Sequence, residues 1–378
     1  MAVKKVVTFK AGHFRFSDIY DAAALNEAVV EARVLTTTVA ELPVLPSLAA
    51  KLDEEVIRRS IFSTAALEGN PLSEEEVGRV LEAADATEFK ERAKIETANL
   101  KKAYRISRGL DYSGGKIQLS EGLVKQIHQT LTAGIESKVN RPGRYREGMV
   151  KVGDKDHGGI YTPPKILDDI KKLMSEFIAW INGDDLLGLP PPIRAALAHY
   201  HLGLIHPFGD GNGRTARLVE AIILQSQGLR WVPEMMSNYY YQKPDDYYWA
   251  FSLARKNRQH DVTPFVEFVL RAFVGSLYEI RDKVTFFIRL FAVRDYLAFI
   301  RQERNITQRQ YDLLLALLEN MVSFNLDDLF KRSPFDILYR QVSLRTAQRD
   351  LAKLTRMGLL TKDPQGAYSL NLGVLDGM

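Results

Sequence analysis

The chain of 378 residues contains no cysteine. Disulfide bridges and thiolate metal sites are therefore excluded, and the composition suits a reducing compartment. No apolar run is long enough to cross a membrane, and the N-terminal residues lack the apolar stretch and cleavage site of a signal peptide. From the sequence we expect a cytoplasmic protein without a membrane partner.

A strong charge bias is also missing. Lysine and arginine number 51 against 47 for aspartate and glutamate, which leaves a formal net charge of +4. This balance gives the whole chain no general attraction to nucleic acid. The hydrophobic content of 46% is ordinary for a globular protein, and the length predicts two or three domains.

Helical periodicity dominates the sequence and predicts a mainly α fold. One helix is expected over about 47–69, because glycine and proline closely follow Glu68. Ser73 and Glu76 have the spacing of a capping box for the next helix, and Thr87 is a candidate cap for the one after it.

Two regions depart from this helical pattern. Residues 1–18 look extended, and residues 144–162 predict a β-hairpin with a polar turn. Near the C-terminus, three helical segments and a final hairpin predict a winged helix-turn-helix. The expected domains are an N-terminal helical region (1–110), a helical core carrying the hairpin (111–290) and the winged helix-turn-helix (305–378).

Polar chemistry is concentrated in the segment His206–Arg217, HPFGDGNGRTAR, which lies between two apolar, helix-prone runs. The glycines and asparagine would stand at the N-terminus of the second helix. There the free amides and the helix dipole form an anion site. The glycine spacing, and the helix before it, exclude a dinucleotide fingerprint.

The other side chains of this segment narrow the chemistry. Arg214 and Arg217 lie on one side of the second helix and can both bind a phosphate chain. Asp210 suits Mg²⁺, which takes few protein ligands beside phosphate and water, and His206 can act as a general base. Each residue alone has a structural explanation, but together they indicate nucleotide-dependent group transfer.

The segment resembles the Fic family signature H-x-F-x-[D/E]-G-N-G-R-x-x-R at every defined position. The resemblance implies a helical core that transfers AMP from ATP to a hydroxyl side chain (Tyr, Thr or Ser) of a target protein. It implies His206 as the base, Asp210 as the Mg²⁺ ligand and Phe208 as the anchor of the loop. The implied ATP contacts are Gly211, Asn212, Gly213, Arg214 and Arg217.

A second motif, Thr64 to Asn70, resembles the family's inhibitory sequence [S/T]-x-x-x-E-[G/N]. The resemblance implies that Glu68 pairs with Arg217 and displaces the γ-phosphate. A carboxylate competing with phosphate for one guanidinium is physically sound. We therefore expect an autoinhibited enzyme with an N-terminal inhibitory helix.

The predicted hairpin resembles the family's target-docking flap. The residues expected to offer backbone or side chains to an extended target segment are Val150, Lys151, Val152, Ile160 and Tyr161. Tyr239 and Tyr247 are expected beside the adenine, although each is equally explained as a core residue. Lys243 stands where many relatives have asparagine, so this part of the resemblance is weaker.

Other functions stay open at this stage. A different nucleotide donor, removal of AMP, and a DNA-binding regulator all fit parts of the sequence, and Fic proteins often pair, so a homodimer is an expected assembly. The third helix of the C-terminal domain carries cationic and polar residues suited to DNA, namely Arg345, Thr346, Gln348, Arg349, Lys353 and Arg356. Asp350 dilutes that face, and such domains also serve protein contacts or dimerisation.

Overall fold

The computed structural model of the chain describes residues 2–84, 89–135, 137 and 139–376. It divides into two compact units, Met1–Arg281 and Asp282–Met378. Within the described part, no helix combines the length and apolar character that a membrane crossing needs. The mainly α fold is confirmed, since the strands are few and short.

The first unit begins with an antiparallel hairpin of β1 (Val3–Val7) and β2 (His13–Ser17). This confirms the extended structure predicted for the first 18 residues. The carboxylate of the buried Asp169 accepts hydrogen bonds from the backbone N–H groups of the hairpin tip, at 2.8 to 3.0 Å. The hairpin is thereby fastened to the helical core.

Four helices follow the hairpin, namely α1 (Ala22–Glu41), α2 (Pro46–Ala66), α3 (Glu74–Ala83) and α4 (Arg92–Arg108). A proline in the first turn starts α2, where its missing N–H costs nothing. The predicted capping box is present, because Ser73 and Glu76 exchange side-chain and backbone hydrogen bonds. Thr87 lies outside the described residues.

Seven further helices follow among the described residues up to 256. They are α5 (Glu121–Thr132), α6 (Leu167–Ile181), α7 (Asp184–Leu187), α8 (Pro191–Ile205), α9 (Asn212–Gln225), α10 (Val232–Gln242) and α11 (Pro244–Lys256). Almost every residue of α8 and α9 is buried, as expected for helices with no solvent face. The six residues between them, 206–211, are held rigidly at both ends.

The strands predicted for the hairpin at 144–162 are wrong. The structure has a single β-bridge there, in which Val152 and Tyr161 exchange backbone hydrogen bonds of 2.9 and 2.7 Å. Gly153, Gly158 and Gly159 lie in the predicted turn and have φ angles near +90°, which is compatible with a turn but not with strand. The segment is a loop closed by one bridge, and we keep the name flap for residues 144–162.

The boundary between the two units falls within α12 (Thr263–Gln302), a helix that extends beyond the end expected for the core at residue 290. The second unit contains α13 (Gln308–Asn320), α14 (Asp328–Lys331), α15 (Phe335–Tyr339), α16 (Leu344–Arg356), β3 (Leu360–Lys362) and β4 (Tyr368–Leu370). The strands pair antiparallel, and leucines and aromatic rings fill the core. The winged-helix interpretation of this unit stays a prediction.

Candidate active site

The loop between α8 and α9 begins and ends in the left-handed region. His206 ends α8 with φ of 48°, and Gly211 precedes α9 with φ of 73°. A left-handed histidine is uncommon and persists only where neighbouring contacts hold it. Here the His206 N–H donates to the carbonyl of Leu202 at 2.9 Å.

Asn212 closes this loop with its side chain. Its Oδ1 accepts from the Phe208 N–H and its Nδ2 donates to the Phe208 carbonyl, both at 2.9 Å. The side-chain amide therefore faces back into the loop, and the expected ATP contact of Asn212 stays a prediction. The Asn212 backbone N–H remains among the amides of the first turn of α9, which lack intrahelical acceptors.

His128 on α5 is a functional neighbour that the sequence did not reveal. It is fully buried, and its ring stacks on Phe208 with centroids 3.7 Å apart and planes 3° from parallel. The Gly143 N–H donates to its Nδ1 at 3.0 Å, so the proton lies on Nε2, which donates to the Asp210 carbonyl at 3.0 Å. Burial lowers the pKa of His128 to about 4, so the ring is neutral.

His206 is also neutral at physiological pH, because burial lowers its pKa to about 4. Its Nδ1 lies 3.3 Å from the Gly203 carbonyl oxygen, which can only accept, so Nδ1 carries the proton. The lone pair on Nε2 is left to take a proton from a substrate. These are the properties of a general base.

Arg146 joins the flap to this loop. Its guanidinium donates to the carbonyls of His206, Gly148 and Pro164 at 2.7 to 2.8 Å. The backbone N–H of Arg146 donates to the Pro207 carbonyl at 2.9 Å. Burial lowers the pKa of Arg146 to about 10, which still leaves it charged at neutral pH. No sequence signal marked this residue, since its acceptors are backbone atoms.

The Thr64 to Asn70 motif and the segment His206–Arg217 meet at Arg217. Its Nη2 lies 2.6 Å from Glu68 Oε1, and its Nε donates to Thr64 Oγ1 at 2.8 Å. A Cβ on Gly213 would overlap the same Glu68 oxygen, so that oxygen lies directly over the first turn of α9. Burial alone raises the pKa of Glu68, but Arg217 and Arg214 together lower it, so the carboxylate is ionised.

Asp210 and Arg214 belong to a second charged group on the other side of the loop. Arg214 lies 3.3 Å from Asp210 Oδ1 and 3.5 Å from Glu96 Oε1. Arg92, the first residue of α4, lies 2.6 Å from Asp210 Oδ2. Burial raises the pKa of Asp210, but Arg214, the Gly211 amide and Arg92 outweigh it, so the pKa is lowered. Arg92 and Glu96 were not expected here.

The structure separates the two tyrosines expected beside the adenine. Tyr247 is buried and lines the same cavity as Arg217. Its hydroxyl lies 2.9 Å from His199 Nε2. Tyr239 lies elsewhere, beside Lys243 and Phe268. His199 also pairs with Glu220 at 2.6 Å.

A cavity of 310 Å³ brings these groups together. Glu68, His206, Gly213, Arg217, Tyr247 and Tyr248 line its core side, and Val152 and Tyr161 line its flap side. The Tyr161 hydroxyl donates to the Leu204 carbonyl at 2.8 Å, whereas Lys151 and Ile160 are exposed to solvent. Of the flap residues, Val150 is half-buried and does not line the cavity.

The residues present fit a nucleotide triphosphate and a magnesium ion. Arg214 Nε is buried without a hydrogen-bond partner, and a Glu68 carboxylate oxygen lies against Gly213 at the start of α9, where a phosphate oxygen would fit. No cluster of three or more metal-binding side chains exists in the described ranges. A single carboxylate, Asp210, matches a metal whose other ligands are phosphate and water.

Residues 118–224 match the Fic/DOC family. The chain is 30% identical over 219 residues to Protein adenylyltransferase Fic of Drosophila erecta, covering 57% of this chain and 40% of that protein. It is 40% identical over 129 residues to Protein adenylyltransferase Fic of Nematostella vectensis, covering 34% of this chain and 27% of that protein. The chain thus spans well under two thirds of the length of these curated relatives.

Solved structures share the fold. A Fic family protein from Desulfovibrio desulfuricans has a TM-score of 0.53 at 23% identity, covering 91% of this chain and 95% of that one. Fic-1 from Caenorhabditis elegans has a TM-score of 0.56 at 22% identity, covering 70% and 74%. With the loop geometry and the sequence match, residues 118–224 form a domain of the Fic/DOC family.

Proposed function

We propose that this protein transfers AMP from ATP to a hydroxyl side chain of a target protein, and that Glu68 holds it in a resting state. The observation that carries the proposal is the arrangement at the start of α9. A neutral histidine, Gly213 in the first turn of α9 and the buried Arg217 line one cavity, and the Glu68 carboxylate pairs with that arginine. The names of the relatives support the same reaction.

In the proposed reaction, His206 Nε2 takes the proton of the attacking hydroxyl. The hydroxyl oxygen bonds to the α-phosphorus of ATP while the bond from that phosphorus to its bridging oxygen breaks, and pyrophosphate leaves. The α9 amides with Arg214 and Arg217 hold the phosphates in line. Asp210 would hold a magnesium ion, which when bound supplies charge neutralisation of the phosphates.

The flap is proposed to dock the target. The Val152–Tyr161 bridge leaves Lys151 and Ile160 exposed beside the cavity, where an extended segment can add along the flap backbone. Arg146 fixes the flap to the carbonyl of the proposed base. A hydroxyl presented from the flap therefore approaches His206.

Glu68 is proposed to inhibit by holding Arg217 in place of the γ-phosphate. Its side chain is 30% exposed while that of Arg217 is 3% exposed, so the carboxylate is the partner that can withdraw to solvent. Withdrawal leaves a buried guanidinium that a phosphate can pair with. ATP and Glu68 thus compete for one cation.

Incubation with α-labelled ATP and Mg²⁺ tests this function. We expect weak self-labelling of the natural chain, strong labelling of Glu68→Gly, and none of Glu68→Gly/His206→Ala, which serves as the matched control. Mass spectrometry of a lysate treated with Glu68→Gly measures the mass added and so separates AMP from another donor group. An unlabelled Glu68→Gly protein and lysate would refute AMP transfer, and loss of AMP from a pre-modified target would indicate the reverse reaction.

A second candidate activity, binding of duplex DNA by the second unit, is favoured by the position of Asp350. This carboxylate is buried and accepts from Arg309 and Gln310, so it does not dilute the outer face of α16 as the sequence suggested. Arg345, Gln348, Arg349 and Arg356 are exposed on that face. These four side chains share one face of the helix and are cationic or carry an amide, which suits contact with a DNA groove.

A gel shift with random-sequence duplex DNA, followed by salt titration, tests this second activity. We expect retardation that falls steeply with salt and a smaller salt dependence in Arg349→Ala, because each lost phosphate contact reduces the slope by about one. The control is Lys331→Ala, because Lys331 is an exposed cation on α14 that pairs with Asp327. Absence of retardation would leave protein contact as the role of this face.

A further inference from the structure

Both carboxylate oxygens of Asp210 are engaged by donors. Oδ1 accepts from the Gly211 N–H at 2.6 Å and lies 3.3 Å from Arg214 Nη2. Oδ2 accepts from Arg92 Nη2 at 2.6 Å, and Arg92 stands 118 positions earlier in the chain. A guanidinium therefore occupies the oxygen that a metal ion at Asp210 would need.

Glu96 holds Arg92 in this position. Its Oε1 accepts from Arg92 Nε at 3.0 Å and lies 3.5 Å from Arg214 Nη1. Its Oε2 accepts from Asn70 Nδ2 at 3.2 Å. Since Asn70 follows Glu68 by two residues, the segment that carries the inhibitory carboxylate is linked to the residue that covers Asp210.

The exposures show which contact can be displaced. The Arg92 side chain is 61% exposed and that of Asp210 is 32% exposed. Ion pairs of this kind are weak, because water competes with them and two side chains must be held in place. A divalent ion shared with a nucleotide's phosphates can displace Arg92, but only in competition with it.

We infer that Arg92 is an intramolecular competitor of the metal ion at Asp210. The inference rests on the proposed function, because it takes a metal–nucleotide pair as the ligand of this site. In the resting protein, side chains of this chain occupy both positions that the metal–nucleotide pair would take. Glu68 replaces a phosphate on Arg217, and Arg92 replaces the metal on Asp210.

Metal binding to the full chain, measured apart from catalysis, tests the inference. Mn²⁺, a paramagnetic substitute for Mg²⁺, is titrated by electron paramagnetic resonance into protein saturated with the non-hydrolysable analogue AMP-PNP. We expect Arg92→Gln to bind Mn²⁺ roughly two- to fivefold more tightly, because a surface pair no longer competes. Lys94→Gln removes the same charge from the same turn of α4, where Lys94 pairs with Glu91, and should leave the affinity unchanged.

Two results would overturn the inference. One is an affinity that stays the same or weakens in Arg92→Gln, and the other is an unchanged affinity in Asp210→Asn, which would place the metal elsewhere. Because Arg92 is largely exposed, its substitution should leave folding intact. If Glu68→Gly transfers no label yet Arg92→Gln still tightens Mn²⁺ binding, the proposed function fails and the competition at Asp210 stands.

Discussion

His128 lies face to face with Phe208 in the loop between α8 and α9, and its two nitrogens contact backbone groups of two different segments. One nitrogen holds the carbonyl of Asp210 and the other holds the N–H of Gly143. A single neutral side chain thus fixes both the loop and the entry to the flap. His128 is a positioning residue, since it lines no part of the cavity above Arg217.

We predict that His128→Phe keeps the stacked ring but lowers both the stability of the protein and the rate of labelling. The Gly143 N–H and the Asp210 carbonyl lose their partner, and each buried group left unpaired costs about 1–3 kcal/mol. In the Glu68→Gly background, labelling should fall roughly tenfold or more because Asp210 is no longer fixed. Chemical denaturation and initial labelling rates measure the two effects, with His13→Phe at an exposed strand position as the control.

Full labelling by a folded His128→Phe protein would contradict this role. A protein that unfolds in buffer would instead be examined as His128→Gln. That variant keeps a donor and an acceptor, and it should recover part of the labelling if the two hydrogen bonds are what matters.

Thr64→Val should raise self-labelling. The Thr64 hydroxyl accepts from Arg217 Nε at 2.8 Å, so it helps hold the arginine in its pair with Glu68. Loss of one such hydrogen bond is worth about 0.5–1.5 kcal/mol, which corresponds to roughly a two- to tenfold change. Thr64→Ser keeps the hydroxyl and should behave like the natural chain. A fall in labelling would mean that Thr64 positions Arg217 for nucleotide and not for Glu68.

The pH dependence of labelling should be flat between pH 8 and pH 5.5 in the Glu68→Gly variant. Burial lowers the pKa of His206 to about 4, so the base stays neutral over this range and is protonated only below it. A rate that falls with an apparent pKa near the ordinary histidine value of about 6.5 would contradict this.

The Glu68 carboxylate should keep inhibiting over the same range. Its pKa lies below the ordinary glutamate value, because Arg217 and Arg214 outweigh the effect of burial. A lowered pKa means that the pair with Arg217 is fully present above the unfolded value of about 4.3 and is lost only as pH falls through the lower folded value. The ratio of labelling by Glu68→Gly to that by the natural chain should therefore be constant from pH 8 to pH 5.5, and a ratio that changes with pH there would be contrary evidence.

Asp350→Asn should destabilise the second unit. This buried carboxylate accepts from Arg309, Gln310 and Tyr339, and lies 2.8 Å from Arg309 Nη2. Removing its charge leaves Arg309 partly buried without its partner, at a cost of about 2–3 kcal/mol. Thermal unfolding followed by circular dichroism measures the change, and Asp363→Asn at the exposed turn between β3 and β4 is the control. Equal midpoints of thermal unfolding for the two variants would count against the prediction.

Contiguous features were predictable from the sequence, and distant partners were not. His206 to Arg217 carry their chemistry within twelve positions, and Glu68 is marked by a short motif. His128, Arg146 and Arg92 reach the same loop from 82, 60 and 118 positions away, and their types alone give no sign of it. Only the packing of α4, α5 and the flap brings them together.

One expectation failed, and two others stay predictions that residue type alone does not decide. In the flap, backbone pairing is limited to the Val152–Tyr161 bridge, and the apolar residues of the predicted strands do not specify how far pairing extends. Asn212 can bind a phosphate or close its own loop with the same side chain, and residue type does not distinguish them. Tyr239 and Tyr240 adjoin on α10, and a helix turns neighbours to different sides, so only Tyr240 packs against Tyr247.

The buried guanidinium of Arg146 has one more consequence. It joins the carbonyls of His206, Gly148 and Pro164 directly, so displacing the flap would break contacts to the residue proposed as the base. For a target docked on the flap as proposed, these hydrogen bonds would set the distance from the flap backbone to His206. A target whose hydroxyl lies one residue out of register would present it on the opposite face of the docked strand.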